Sequence, residues 1–192
     1  PKQRLSVGDA LGDGDAIVLL ASSGIHANGV SLARKVAERL PQGWLTPIDD
    51  QGTRYGDALL APTTLYSPAT EALWQAGITP HYSANITGHG WRKLLRHPKA
   101  LTYRIADVPP VPKVLAFIAQ HAGHDAQEAY STFNMGAGFA LFVGAADAQR
   151  CVGVARAKGI DAWVAGRVEA GPKQLLIEPL ALRFGDDALN LR

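Results

Sequence analysis

The feature that most constrains this chain is a passage from apolar to small to amphipathic residues between Ile17 and Lys35. Ile17-Val18-Leu19-Leu20 is a continuous apolar run, followed by Ala21-Ser22-Ser23-Gly24-Ile25-His26-Ala27-Asn28-Gly29. From Val30 the pattern turns helical. Val30, Ala33 and Val36 share one face, with Arg34, Lys35, Glu38 and Arg39 elsewhere. The order predicts strand, glycine loop, helix, and Gly24 and Gly29 suit the tight turn. In such a turn the loop amides and the first helical N–H groups converge, and the helix dipole favours an anion there. Ser22, Ser23, His26 and Asn28 add side-chain donors, so the stretch is a candidate site for phosphate or carboxylate. A plain strand-to-helix turn capped by Asn28 or Ser31 fits the same residues. The stretch alone leaves both readings open.

The rest of the chain narrows the class. Its 192 residues suit one domain or one large half of an enzyme. A chain of this size buries roughly 70% of its unfolded surface and needs no staples. A net charge of +2 with interleaved signs gives no argument for nucleic acid. The lone Cys151 cannot form an internal disulfide, which fits a reducing cytoplasm. It falls in a helical pattern and reads as a small core residue. No apolar run approaches ~20 residues, so neither a membrane span nor a signal peptide is expected. The chain starts at Pro1 rather than Met, which leads to the expectation of a piece cut from a longer protein.

Residues 1–14 read as a leading segment or interdomain linker, 15–182 as one domain and 183–192 as a frayed tail. Asp9, Asp13 and Asp15 read as a solvated turn, because no calcium-loop spacing follows. Helices are expected at 56–61, at 67–76 with Ser67 as N-cap and Pro68 in the first turn, and at 91–96. Further helices are expected at 112–121, from an Asp125/Glu128 capping box to Thr132, and at 145–158. Strands are expected at 81–86, at 101–106 with one face exposed, at 139–143, at 162–168 and at 174–178. Thr87-Gly88-His89-Gly90 and Phe133-Asn134-Met135-Gly136-Ala137-Gly138 form a second and a third glycine loop. The expected fold is α+β, a layered sandwich with a mixed sheet.

None of the six histidines has zinc-ligand spacing, so no metal site is expected. His97, His121 and His124 read as surface residues near helix ends, whereas His81 is a candidate to join the loop histidines. His26 and His89 each sit in a glycine loop at a helix start, where an imidazole can bind an anion or transfer a proton. No nucleophile elbow, phosphate-binding lysine loop or dinucleotide fingerprint is present.

Taken together, the loops resemble the C-terminal half of the aminoimidazole ribonucleotide synthetases, the phosphoribosylformylglycinamidine cyclo-ligases. The stretch Ser22 to Lys35 is similar to that family's S-S-G-x-H-S-N-G-Y-S-L-x-R-K, with Ala27 for Ser and Val30 for Tyr. Ala58-Leu59-Leu60-Ala61-Pro62-Thr63-Thr64-Leu65-Tyr66 resembles A-L-L-x-P-T-R-I-Y, with Thr64 for Arg. Asn85-Ile86-Thr87-Gly88-His89-Gly90 resembles H-I-T-G-G-G, and Tyr130-Ser131-Thr132-Phe133-Asn134-Met135-Gly136 resembles Y-R-T-F-N-M-G. The likeness runs from about Gly14 to Glu178, in the family's order and near its spacing.

This resemblance implies a two-domain cytoplasmic enzyme of purine biosynthesis, dimeric when intact. Such an enzyme uses ATP and magnesium to close the imidazole ring of formylglycinamidine ribonucleotide. The partner of this half would be its own N-terminal ATP-binding domain, absent from this chain. Neither ATP nor magnesium is expected to bind tightly to this half alone. On the same resemblance His26 and His89 are the catalytic candidates. Ser22, Ser23, Gly24, Asn28, Gly29, Asn85, Thr87, Gly88, Asn134 and Gly136 are the candidates for holding the phosphorylated substrate. Asn85 replaces a family histidine, His89 a glycine and Thr64 an arginine. An amide cannot exchange a proton as imidazole does, and Thr64 removes a bidentate anion clamp. These departures keep two alternatives open: phosphoryl transfer from ATP to another small molecule, and a non-catalytic ligand-binding or regulatory module.

Overall fold

The structure, a computed structural model, describes residues 7–185. The leading segment before Val7 and the tail from Asp186 lie outside the described residues. The described residues hold seven strands and six α-helices. The first half holds β1 (Ala16–Ala21), α1 (Val30–Arg39), α2 (Tyr55–Leu59), α3 (Ser67–Gln75), β2 (Tyr82–Asn85) and β3 (Leu101–Ile105). The second half holds α4 (Lys113–Ala122), α5 (Ala126–Thr132), β4 (Ala137–Val143), α6 (Ala148–Ala157), β5 (Ala162–Ala170), β6 (Gln174–Ile177) and β7 (Leu182–Gly185). The strands form one sheet in the order β2-β4-β1-β5-β3-β6-β7. All neighbours are antiparallel except the parallel pair β3 and β6. This is the expected α+β fold with a mixed sheet.

The continuous apolar run of β1 follows from its place inside the sheet. Ile17 and Leu19 pack on one face with Ala33 and Val36 of α1 and Leu115 and Ile118 of α4. Ala16, Val18 and Leu20 pack on the other face with Leu73 of α3 and Val152 and Ala155 of α6. Both faces are dry, so no polar alternation survives in the sequence. Cys151 lies fully buried in the second layer, and burial, with Asp147 nearby, pushes its thiol up to about 12. It is the core residue expected. The capping box at α5 also forms: Glu128 N–H donates to Asp125 Oδ1 at 2.7 Å and Asp125 N–H to Glu128 Oε2 at 3.3 Å.

Several local expectations are corrected. On the β3 face expected to be exposed, Thr102 is buried and Arg104 half-buried. The helix expected at 91–96 forms over Gly90–Arg96, as a 3₁₀ helix. Ala137 and Gly138 belong to β4, not to the third loop, since Ala137 pairs with Ala21. Ser67 lies inside α3, whose cap is Tyr66. Arg183 to Gly185 are not frayed but pair with β6. Asp15 is buried rather than solvated. It accepts from Gly12 N–H at 3.0 Å and pairs with His81 Nδ1 at 2.9 Å. His97 is likewise buried, with its ring edge-on to Tyr82 at 5.1 Å.

Candidate functional site

The sheet brings the glycine loops together. β4 runs antiparallel to both β1 and β2, so the C-terminal ends of β1 and β2 meet the start of β4. Ala21 pairs with Ala137 and Asn85 with Phe139. The register of β1 shifts at Leu20/Ala21, an irregularity of the kind that re-aims a strand end. Four segments therefore gather at one end of the sheet: 22–29, 61–66, 85–90 and 133–136.

Asn134 is the centre of this gathering. It is buried, and its Oδ1 accepts from Ser22 Oγ at 2.6 Å and Gly136 N–H at 3.0 Å. Its Nδ2 donates to Gly24 O at 2.8 Å, and its own carbonyl accepts from Trp91 Nε1 at 2.7 Å. Asn28 makes a similar link, its Nδ2 donating to Thr132 O, while its Oδ1 faces Gly88. Gly29 adopts φ +91° beneath the ring of Phe133, with no room for a Cβ. Ser22, Gly24, Asn28, Gly29, Asn134 and Gly136 thus knit the loops to one another. Ser23, Asn85 and His89 are exposed at the rim, with Thr87 and Gly88 half-buried beside them.

His26 clamps two segments. Its Nε2 accepts from Ser23 N–H at 3.1 Å and Thr64 N–H at 3.5 Å, and Ser23 Oγ lies 3.0 Å away while donating to Pro62 O at 2.6 Å. A nitrogen that accepts from amides carries no proton, so the proton sits on Nδ1. Burial lowers the His26 pKa, which reinforces the neutral ring. The ring packs with Tyr66, whose hydroxyl donates to Ala21 O at 2.8 Å. His26, with φ 54°, and His89, with φ 78°, both hold a left-handed backbone.

Neither Asn28 nor Ser31 caps α1; the cap is Gly29, which offers no side chain. The first N–H groups of α1 therefore receive no side-chain cap. Beside them opens a cleft of about 460 Å³. Its apolar wall is Ile25, Val30, Trp44, Leu59 and Leu60, and Arg34, Arg54 and the carboxylate of Asp57 border it. Val30, Trp44 and Leu60 are exposed. The arrangement suits a ligand with a flat apolar part and an anionic end. Arg34, Arg54 and Trp44 were not readable as site residues. Arg34 lies one turn beyond Val30 on a face that composition marks as merely solvated, and Trp44 and Arg54 come from elements outside the loops. His81, paired with Asp15, takes no part in the loop cluster. Among the described residues no group of three or more His, Cys, Asp or Glu side chains could hold a metal ion. No helix there is long and apolar enough to cross a membrane.

Comparison with known proteins places this geometry in a family. Residues 12–177 match AIR synthase related protein, C-terminal domain. The chain is 38% identical over 170 residues to the phosphoribosylformylglycinamidine cyclo-ligase of Methanococcus maripaludis strain C6, covering 88% of this chain and 48% of that protein. It is 32% identical over 177 residues to the enzyme of the same name from Agathobacter rectalis, covering 90% and 51%. The chain thus spans about half the length of the curated relatives it matches. Among solved structures, hydrogenase maturation protein HypE in complex with ATP superposes with a TM-score of 0.57 at 17% identity, covering 92% of this chain and 51% of that one. That likeness shows the shared fold. With the family matched over most of its length and relatives above 30% identity, this chain belongs to the AIR synthase related C-terminal domain family.

Proposed function

We propose that this chain is the C-terminal half of an ATP-dependent cyclo-ligase-like enzyme acting on a small phosphorylated substrate related to formylglycinamidine ribonucleotide. The observation that carries the reading is the convergence of all four cyclo-ligase-like segments at one sheet end, beside an uncapped helix and a two-arginine cleft. The names of the relatives supply the reaction. The ATP held by a protein of the same fold supports nucleotide use by the intact protein. Magnesium would have to be held mainly by the other half, because this one offers no cluster of ligands among its described residues. No step is therefore routed through it.

Each group then has a role set by its geometry. The amides at the start of α1, with Arg34 and Arg54, would hold the phosphate end. Trp44, Leu59 and Leu60 would exclude water along the apolar wall. His26 would fix the Ser23 and Thr64 backbones through Nε2, and Nδ1 is the atom left to hold a proton at the cleft. Exposed Ser23, Asn85 and His89 would meet substrate across the opening. The exposed Val30, Trp44 and Leu60 would be covered by the N-terminal half that relatives possess, and the intact protein would be a cytoplasmic dimer.

The test is ADP release by the intact protein, this half together with its N-terminal half, given ATP and formylglycinamidine ribonucleotide. Release that stops in Arg34→Gln supports the reading. Turnover only with another acceptor would mean phosphoryl transfer on a different small molecule. Ligand binding with no turnover would mean a binding module.

A further inference from the structure

One wall of the α1 cleft is built more firmly than a surface needs. Trp44, in the 3₁₀ turn Gly43–Leu45, is 45% exposed although it is a large aromatic side chain. Its indole stacks on Tyr55, with ring centroids 5.7 Å apart and planes 15° from parallel. Tyr55 is fully buried, donates from its hydroxyl to Ala33 O at 3.0 Å, and packs on Phe117 of α4 at 5.0 Å. Gly56 completes the seat: a Cβ there would lie 3.3 Å from Trp44 Cβ and 3.2 Å from Trp44 O. One face of the indole is therefore held by a ring that is itself pinned to α1 and α4. The other face is open, on the wall of the cleft. An aromatic side chain fixed before any ligand arrives contributes contact area at little entropic cost.

Asp57 is the second anomaly. It borders the same cleft, where a carboxylate opposes the anionic end that Arg34 and Arg54 attract. On α2 it lies three residues after Arg54, a spacing at which opposite charges ordinarily meet. Its carboxylate nevertheless makes no hydrogen bond or ion pair among the described residues. It immediately follows Gly56, so it stands next to the seat of the indole. An ionised carboxylate only accepts hydrogen bonds, so the group it can hold is an N–H or an O–H. A ring stacked on an indole presents its substituents sideways, in its own plane, where such a neighbour can reach them. The cleft, at about 460 Å³, lies within the ~300–1,000 Å³ of small-molecule sites.

We propose that this wall holds a planar nitrogen heterocycle bearing an amino group, a nucleobase or a ring of that kind. The ring stacks on the free face of Trp44, and its amino N–H donates to the Asp57 carboxylate. This ring site rests on the cleft being the ligand site of the proposed enzyme, with the phosphate end left to Arg34, Arg54 and the α1 amides. Trp44 and Asp57 belong to none of the four family-like segments.

The experiment titrates the full chain separately with adenosine, purine riboside and ribose 5-phosphate. Adenosine carries the ring and the amino group, purine riboside the ring alone, and ribose 5-phosphate the phosphate without a ring. Binding is read by calorimetry and by the indole N–H signals in NMR, with Trp44 assigned from Trp44→Leu. Adenosine is expected to shift the Trp44 signal and to leave that of fully buried Trp91 in place. Trp44→Leu, at an exposed position, should weaken adenosine about tenfold, in keeping with base–aromatic stacking, and Trp44→Phe should retain most of the affinity. Purine riboside should bind about fivefold more weakly than adenosine, and Asp57→Ala should erase that difference. Ribose 5-phosphate should be indifferent to Trp44→Leu and weakened by Arg34→Gln. Adenosine binding that survives Trp44→Leu would overturn the proposal, as would equal binding of adenosine and purine riboside, or no adenosine binding at all. If ribose 5-phosphate alone fails to bind, the phosphate end of the proposed site falls while the ring site stands.

Discussion

The two left-handed histidines make the informative comparison. His26 and His89 both sit in glycine loops, both precede a helical segment and both hold a positive φ. Such a backbone is strained for a residue with a Cβ. At His26 the strain is offset, because Nε2 accepts two amides from different segments and the ring packs with Tyr66. At His89 the side chain is exposed and makes no hydrogen bond among the described residues. The first loop is therefore built and rigid, while the second spends its strain on an exposed, uncommitted imidazole. Donor side chains in a glycine loop can serve the loop itself or a ligand, and only their partners tell which.

Breaking the built side should have the largest effect. Asn134→Leu strands Ser22 Oγ, Gly136 N–H and Gly24 O in the interior. At about 1–3 kcal/mol for each unsatisfied buried group, a loss of about 4 kcal/mol is expected in urea unfolding. A loss below about 1 kcal/mol would show that water replaces the amide. Next is Gly138→Ala in β4. A Cβ there would overlap Tyr66 Oη and lie 2.9 Å from His26 Cε1. A cost of about 2 kcal/mol is expected, of the overpacking kind. Tyr66→Phe in the same chain should recover part of it; full additivity of the two changes would place the strain elsewhere.

A pH experiment sharpens the comparison further. The His26 pKa is lowered in the folded chain, so below about 6.5 the unfolded state takes up a proton that the folded state resists. The stability tied to this residue is present above pH 6.5 and is lost as pH falls through the folded pKa. His26→Gln cannot titrate. Its stability relative to the unaltered chain should improve on going from pH 7.5 to pH 5.5, read by urea midpoints at each pH. A parallel fall of the two proteins would remove His26 as the cause. The smallest effect belongs to the uncommitted side. His89→Gly should raise stability by about 0.5–1 kcal/mol, by relieving a left-handed non-glycine residue. A loss instead would reveal a contact for the imidazole.

The glycine loops, strand β1 and both ends of α5 were legible because each rests on local chemistry: a tight turn, a dry strand, a capping box. Partner choice was not legible. Asn28 and Asn134 read as ligand amides, yet both hold neighbouring loops through carbonyls more than a hundred residues away. β3 read as half-exposed because Thr102 and Arg104 alternate with apolar residues. Thr102 is buried nonetheless, since its hydroxyl donates to Pro172 O at 2.9 Å and accepts from Gln174 Nε2 at 3.1 Å. Residues 91–96 read as a helix, but nothing in their composition marks it as the tighter 3₁₀ form.

The place of β1 also bears on how the chain reaches this state. It is the first strand among the described residues and sits between β4 and β5, with Ala16 opposite both Val143 and Arg167. Each pairing closes a loop of more than a hundred residues, at an entropic cost met before any hydrogen bond of the ladder forms. Topologies dominated by such distant pairs fold slowly, on the scale of milliseconds to seconds. On the ribosome, β1 emerges as a bare apolar ribbon and must wait for β5 before its second edge is sealed. Until then it is the segment most exposed to mispairing and to chaperone capture.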